Sequence, residues 1–500
     1  MTSKVVKGSV WTLAGQVLPM AVSFVATPFT IKFLGSEGYG VLILIGLIPS
    51  YLAFVDFGMN LASTKFGSEM YAKGDLGAEA RTVRTAVFVA LCSTLPVAAA
   101  VFLFSSQIAV FFNVPEQLLA EGSLSLKIAS VSLILNSLNG ILNTPQLDRL
   151  RMDVNSLVNT VPKVLMMALT PVVLYLGGGL FGAVLIGLIG SLVVLLGHVV
   201  FSVRLLPELF GFTIDRSMLR PLFRFGAGWL VASAAIMLMG NMEKFFLTRM
   251  TSVETLAHYS IASTLAMMAT MLPVAMTQSL IPAFSQLSSA EKYRELGGLF
   301  SRSVRLNALW LLPTLMLGIV FAKSFFARWV GDEFANASAV PFYILLIGVF
   351  VNVVAYVPYA VLISAGKTGL LGRIYLVELF LYAAIAWLLI LNLGIIGAAI
   401  AWSLRVALDG LLLFFLAHRS FGTGVGLKKH VIGFGLTALV LIVPLFFRFF
   451  YSGFSSIVIA GAILACIAYA AIAWKLLIEN EEREWLRGRL ATRLGRFGTV

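Results

Sequence analysis

Charge is scarce in this chain, and that scarcity excludes more than any motif does. Only 12% of the 500 residues are Asp, Glu, Lys or Arg, against 59% hydrophobic, and the mean hydropathy is +0.96. A soluble globule of this size needs far more polar surface to cover itself. Cysteine is nearly missing: Cys92 and Cys466 both lie in apolar runs without metal-spaced neighbours, so neither a disulfide framework nor a zinc site is expected. The histidines, His198, His258, His418 and His430, are scattered and lack ligand spacing. Polar–apolar alternation is missing from the apolar runs, which excludes a membrane β-barrel. Long polar loops are missing as well, and nothing is left over for a catalytic domain. The longest outer loop, about 105–122, has no composition of a folded unit.

What the chain does have is apolar runs of roughly 20 residues, enough to cross a hydrocarbon core of ~30 Å. Fourteen such spans are expected, at about 9–31, 40–62, 85–104, 123–143, 156–176, 180–203, 225–248, 257–280, 306–326, 340–363, 374–392, 395–417, 431–450 and 455–475. The N-terminal run has a basic start and no small-residue cleavage site, so it is expected to stay as the first helix. The fold class is therefore an all-α polytopic membrane protein. The net charge of +13 is a topology signal rather than a nucleic-acid footprint: 27 of the 36 lysines and arginines fall on one side of these spans. That asymmetry places both termini in the cytoplasm. In the tail, Leu486, Leu490, Leu494 and Phe497 interleave with Arg487, Arg489, Arg493 and Arg496, the pattern of a basic amphipathic surface helix.

The stretch Lys32–Asn60 carries a Gly38-Tyr39-Gly40 sequence read as a tight turn, then a span holding a lone acid, Asp56. An ionisable residue inside a span is costly and marks a pathway or a partner. The turn returns as His258-Tyr259-Ser260. Arg81 and Arg84 return as Arg302 and Arg305, Asn136 as Asn352, and Gly182-Ala183 as Gly397-Ala398. The offsets run only from 215 to 221, so two six-span copies are expected, entering from the same side and related by an axis along the membrane normal. The expected division is 1–224 for the first lobe, 225–417 for the second, 418–475 for two added spans and 476–500 for the tail. This is a transporter architecture.

These residues, with GSVWTLAGQ, LGSEGYG, DFGMN, FFNVP, the Glu243-Lys244 region before HYSIAST, and SAGKTG, resemble the Wzx-type polysaccharide flippases. These belong to the multidrug/oligosaccharidyl-lipid/polysaccharide exporter superfamily. The resemblance runs over about residues 1–475. It implies a V-shaped cavity between two lobes. It also implies export of polyprenyl-pyrophosphate-linked oligosaccharide across a bacterial inner membrane for cell-surface polysaccharide assembly, with a polymerase and chain-length machinery as partners. The acyl tail is expected to stay in lipid near spans 13–14. Two relatives are weighed against it. A lipid II flippase has a strongly cationic first helix, whereas here that span is charge-free until Lys32. An ion-coupled multidrug exporter usually has twelve spans and an acid-lined cavity. A membrane glycosyltransferase or polymerase is disfavoured by the short outer loops.

The candidate binding residues are the ionisable groups in or beside spans: Asp56, Lys163, Glu243, Lys244, Arg302, Arg305, Glu378, Arg405 and Asp409. Asp56 suits a cation or a sugar hydroxyl, or a structural pairing with a neighbouring helix. Lys163 and Glu378 are 215 residues apart and are expected to face each other across a cleft, with Lys163 toward pyrophosphate. Glu243 and Lys244 point about 100° apart, where snorkelling to the outer surface is the plain alternative. Arg405 and Asp409 share a helix face and suit either an ion pair or an anion site. Arg302 and Arg305, with Arg81 and Arg84, suit topology or the gathering of a headgroup. Asp56-Phe57-Gly58 and Gly366-Lys367-Thr368 mimic kinase and P-loop fragments but lack the rest of those motifs. No cofactor or metal is expected. Transport would run on a H+ or Na+ gradient or on consumption of product outside. A fluorescent reporter that matures only in the cytoplasm, fused after Val500, should be bright, and a dark fusion with a normally expressed chain would reverse the orientation.

Overall fold

The computed structural model describes residues 2–211, 213–421, 455–478 and 483–484. Helices carry them, and no strand occurs among the described residues. In chain order the helices are α1 (Thr2–Tyr51), α2 (Met59–Ala72), α3 (Leu76–Leu103), α4 (Ser105–Phe111), α5 (Glu116–Leu142), α6 (Thr144–Asp148), α7 (Met152–Tyr175) and α8 (Gly179–Leu205). There follow α9 (Arg216–Met250), α10 (Val253–Met268), α11 (Met271–Ser289), α12 (Tyr293–Trp329), α13 (Asp332–Ser364), α14 (Thr368–Phe421) and α15 (Ser456–Ile472). Nine stretches among the described residues are long and apolar enough to cross a membrane. The expected spans at 257–280 and 225–248 fall on α10–α11 and α9, which are outside that set. The expected span 431–450, and all but a few residues of the 476–500 tail, lie outside the described residues.

Two helices are longer than one span and break at glycine. α1 has one non-helical residue, Gly35 (φ 71°), and α14 has Gly394 (φ 56°). The turn is therefore at Gly35 and not at Gly38-Tyr39-Gly40, which is helical. Gly40 serves packing instead: a Cβ there would stand 1.9 Å from the Val253 carbonyl oxygen. The left-handed joints of the chain also recur. Gly74 and Glu291, Asn113 and Gly331, Leu150 and Gly366, and Gly179 and Gly394 all have positive φ and lie 215 to 218 residues apart. Among the described residues, the joints at Gly35 and at Phe57 (φ 53°) and Gly58 (φ 67°) have no positive-φ counterpart at that spacing.

By density of internal contact the chain forms two units. The first is Met1–Ser260 with Tyr375–Ile395, and the second is Ile261–Ile374 with Ile396–Val500. In this grouping α9, the start of α10 and the first half of α14 fall with the N-terminal helices.

In the first unit α1 packs on α7, α5 on α8 and α3, and α2 on α3. One core joins Val41, Leu44, Leu126, Leu180 and Leu256. A second uses smaller residues, Ala62, Ala80, Val83 and Ala86 with Met59, which let backbones approach closely. The short α6 is tied on three sides. Thr144 bonds Ser63 of α2 (2.9 Å), Gln146 reaches His198 (3.1 Å) and Ser202 (3.2 Å) of α8, and Arg149 just past α6 clamps Glu79 of α3 (2.6 and 3.1 Å). Arg81 and Arg84 also do structural work. Arg81 faces Asp215 (3.6 Å), while the Arg84 guanidinium lies over Gly211. The Ser217 hydroxyl and N–H donate to Asp215 and hold its carboxyl below the usual range, so it stays ionised opposite Arg81. In the second unit α12 and α11 pack on α13. Phe284, Phe300 and Val357 form one core there, and Met316, Val320, Val458 and Ala465 another. Outward faces stay apolar, as with Leu176 (76% exposed), Phe380 (74%) and Leu411 (70%), which suits lipid as solvent.

Glu79 is wholly buried and Arg149 nearly so. Removing one partner of such a pair costs about 3–5 kcal/mol. Arg149→Ala should therefore lower the thermal midpoint of the purified protein by several degrees. Lys292→Ala, which breaks a solvent-exposed pair with Glu295, should leave it nearly unchanged.

Candidate functional site

The second half of α1 stops at Tyr51, and a 3-10 turn, Ala53–Asp56, follows before the chain bends through Phe57 and Gly58 into α2. Asp56 thus sits at a helix break, not inside a continuous span as the sequence suggested. A broken helix in hydrocarbon frees backbone groups that protein must satisfy. Asp56 Oδ1 accepts the Gly58 N–H at 2.9 Å, beside the N-terminal end of α2, where negative charge is favoured. The bend is also covered. Phe57 stacks on Phe223 (5.4 Å between centroids), and Gly226 of α9 approaches the Phe57 carbonyl so closely that a Cβ would stand 2.0 Å from its oxygen. The break is held by its neighbours.

Beside it lies a cavity of about 640 Å³ within the first unit. Its polar lining comes from Ser50 of α1, Asp56 and Asn60 at the break, Thr94 of α3, and Ser132, Asn136 and Ser137 of α5, with Ser191 of α8. Asp56 is the one charged residue among the described residues that line it. The neutral groups are cross-tied. Ser191 donates to Asn136 (3.3 Å), Thr94 faces Ser137 (3.5 Å), and Asn139 donates to the Ser191 carbonyl (3.3 Å). Asn60 packs over Gly140, the residue that ends this polar run on α5. Chemically, the site offers amides and hydroxyls that both donate and accept, plus one carboxylate that accepts only. Of these lining residues, the sequence reading singled out Asp56 as a site and Asn136 only as a repeat marker. It missed Asn60, Ser132, Ser137 and Ser191. The legible signal was the run Asn136-Ser-Leu-Asn-Gly140 inside an otherwise apolar span.

The other expected residues lie elsewhere. Lys163 is exposed on α7, between exposed Val161 and Leu165, whereas Glu378 is buried, so their burial differs. Glu243 does not snorkel: it is 3% exposed, and the Tyr382 hydroxyl donates to its Oε2 at 2.7 Å. Lys244 reaches the Asn241 side chain (3.4 Å), whose backbone carbonyl takes the Tyr51 hydroxyl (2.9 Å). Arg302 is exposed and Arg305 fully buried on α12. Arg405 and Asp409 are half-buried one turn apart on α14, in the second unit. The FFNVP sequence is a fastening: Asn113, in the left-handed region, donates to the Thr248 and Arg249 carbonyls that end α9. Gly226→Ala forces the Phe57 carbonyl or α9 to move, and such overpacking costs about 1–3 kcal/mol. It should lower the thermal midpoint and reduce transport, while Gly297→Ala, with open space around it, should do neither.

Comparison with known proteins places this geometry. A family model described as polysaccharide biosynthesis protein matches residues 5–288, and a MatE model matches 229–388. A Shigella flexneri relative, "Putative O-antigen transporter", is 24% identical over 83% of this chain and 98% of its own length. Among solved structures, the lipid II flippase MurJ in an inward closed conformation superposes with a TM-score of 0.76, at 13% identity, over 95% of this chain and all of that one. An inward-facing MATE-family multidrug resistance transporter of the MOP superfamily gives 0.67 at 12% identity, over 83% of this chain and 98% of its own. With more than half its length matched by the first model, the chain belongs to the polysaccharide biosynthesis protein family.

Proposed function

We infer that the protein is a flippase for polyprenyl-pyrophosphate-linked oligosaccharides. It carries them from the inner to the outer leaflet of a bacterial inner membrane for cell-surface polysaccharide assembly. The observation that carries this reading is the cavity itself: a hydroxyl- and amide-lined hollow among membrane-length helices, beside a broken helix. Irregular backbone among such helices is tolerated where it lines a cavity, and polar groups among them mark a substrate path. A glycan is the ligand whose own surface is made of such donors and acceptors. Family membership and the name of the Shigella relative support the same substrate class.

The rest of the substrate has candidate places. In the second unit, Leu317 and Phe321 of α12 and Ile459, Ile463, Cys466 and Ile467 of α15 line a wholly apolar groove of about 400 Å³, suited to part of a polyprenyl chain. The pyrophosphate needs cations, and Lys163 and Arg302 are the exposed ones among the candidates named from the sequence. The recurrence of left-handed joints at 215 to 218 residues supports two copies of one bundle. Alternating access between the copies, with both termini inside as the loop charges suggest, completes the reading. The mechanism uses no resident cofactor. It runs on a H+ or Na+ gradient or on removal of product by a polymerase and its chain-length partners.

Purified protein in liposomes, loaded with a fluorescent polyprenyl-pyrophosphate-linked oligosaccharide, should move it to the leaflet where an added glycosidase cleaves it. Protein-free liposomes should not. Proton flux driven by organic cations, without movement of the lipid-linked glycan, would replace this reading with a multidrug exporter. Glycosyl transfer from a labelled donor would replace it with an enzyme.

A further inference from the structure

The cavity beside Asp56 has an electrostatic asymmetry that the flippase reading alone does not require. Its carboxylate is stabilised by backbone amides, Gly58 N–H at 2.9 Å and Asn60 N–H, rather than by a lysine or arginine. No cation stands among the described lining residues, and the remaining polar groups are neutral: Asn60, Thr94, Ser132, Asn136 and Ser191. Backbone amides neutralise only part of a full negative charge. With one acid and no base among the described lining residues, the formal charge of the lining is negative. A ligand hydroxyl or ammonium is attracted there, and a second carboxylate or a phosphate is repelled at an effective dielectric far below that of water.

We propose that this cavity is the glycan subsite of the transporter and that Asp56 makes it selective against acidic sugars. The ring that enters beside the helix break is a neutral or amino sugar, and Asp56 accepts one of its hydroxyl or ammonium protons. The same asymmetry keeps the pyrophosphate out of this cavity, so headgroup and glycan are read at separate places. Asn136 and Ser191, already tied at 3.3 Å, line the same cavity and present the remaining amide hydrogens. This inference rests on the flippase reading for the identity of the ligand and adds its charge class.

The test uses the full chain in lipid nanodiscs and liposomes, with two synthetic polyprenyl-pyrophosphate-linked disaccharides. They differ only at one ring carbon, a hydroxymethyl group in glucose against a carboxylate in glucuronic acid. Wild type should bind the glucose form about tenfold or more tightly than the glucuronate form, because one like charge at close range is worth at least that factor at the effective dielectric of a protein interior. Asp56→Asn keeps an acceptor for Gly58 and should shrink the ratio to about twofold or less, while Asn136→Asp, which adds a second acid to the lining, should widen it. A glucuronate form that binds wild type as well as the glucose form overturns the proposal, and so does a ratio unmoved by Asp56→Asn with Asn136→Asp equally silent. Movement across the bilayer is read separately. Preferential binding of the glucose form without translocation sinks the flippase reading and keeps the subsite, and equal translocation of both forms keeps the flippase and sinks the subsite. If neither form binds or moves, both fall.

Discussion

Backbone hydrogen bonding in a solvent that offers none is the constraint on which the rest of this structure depends. Helices satisfy their own N–H and C=O groups, and every interruption must find partners inside the protein. The chain interrupts itself often, and several joints are met by a specific device. Asn113 caps the end of α9, Glu121 accepts the Phe181 N–H in the first turn of α8 at 2.8 Å, and Asp56 accepts the Gly58 N–H. Gly226 brings α9 hard against the bend at Phe57, so that protein rather than lipid covers it.

The same constraint sorts the polar side chains by what they can do. The charged pair Glu79–Arg149 and the uncharged chain Gln146–His198–Asn159 are tied into the packing around α6, and they fix short helices in place. The amides and hydroxyls of α5 and α8 are only partly engaged, and they face a hollow large enough for a sugar ring or more. Asp56 belongs to the second group although it is charged, because helix geometry rather than a cation holds it. A carboxylate balanced by an Arg would be closed to ligand. One held by backbone amides brings no competing cation into the cavity. Structure and selectivity thus come from one feature, the break between α1 and α2.

Much of the architecture was legible from composition and spacing, because length and apolarity decide where a helix can cross a membrane. The helix breaks were less legible. Gly38-Tyr39-Gly40 looked like the turn, yet the bend is at Gly35 and the second glycine serves close packing against Val253. Glycine has both uses, and sequence alone does not say which. Glu243 at a span end looked like a snorkelling acid, but Tyr382, 139 residues away, supplies a buried partner. Lys163 and Glu378 looked equivalent by repeat offset, yet one is exposed and the other buried. The polar ladder on α5 went unread because neutral Ser and Asn are cheap enough in helices to raise no alarm singly.

By itself the sequence determined a polytopic helical protein, its internal spacing of about 216 residues, the family resemblance and the oddness of Asp56. These follow from one-dimensional properties: hydropathy per window, charge per loop and residue identity at a fixed offset. Only the tertiary structure decided which ionisable groups meet a partner, which share a cavity, and that Asp56 stands alone among neutral neighbours at a break. Those outcomes turn on contacts between helices far apart in the chain, where a rotation of one helix by a single residue, about 100°, moves a side chain from lipid to cavity.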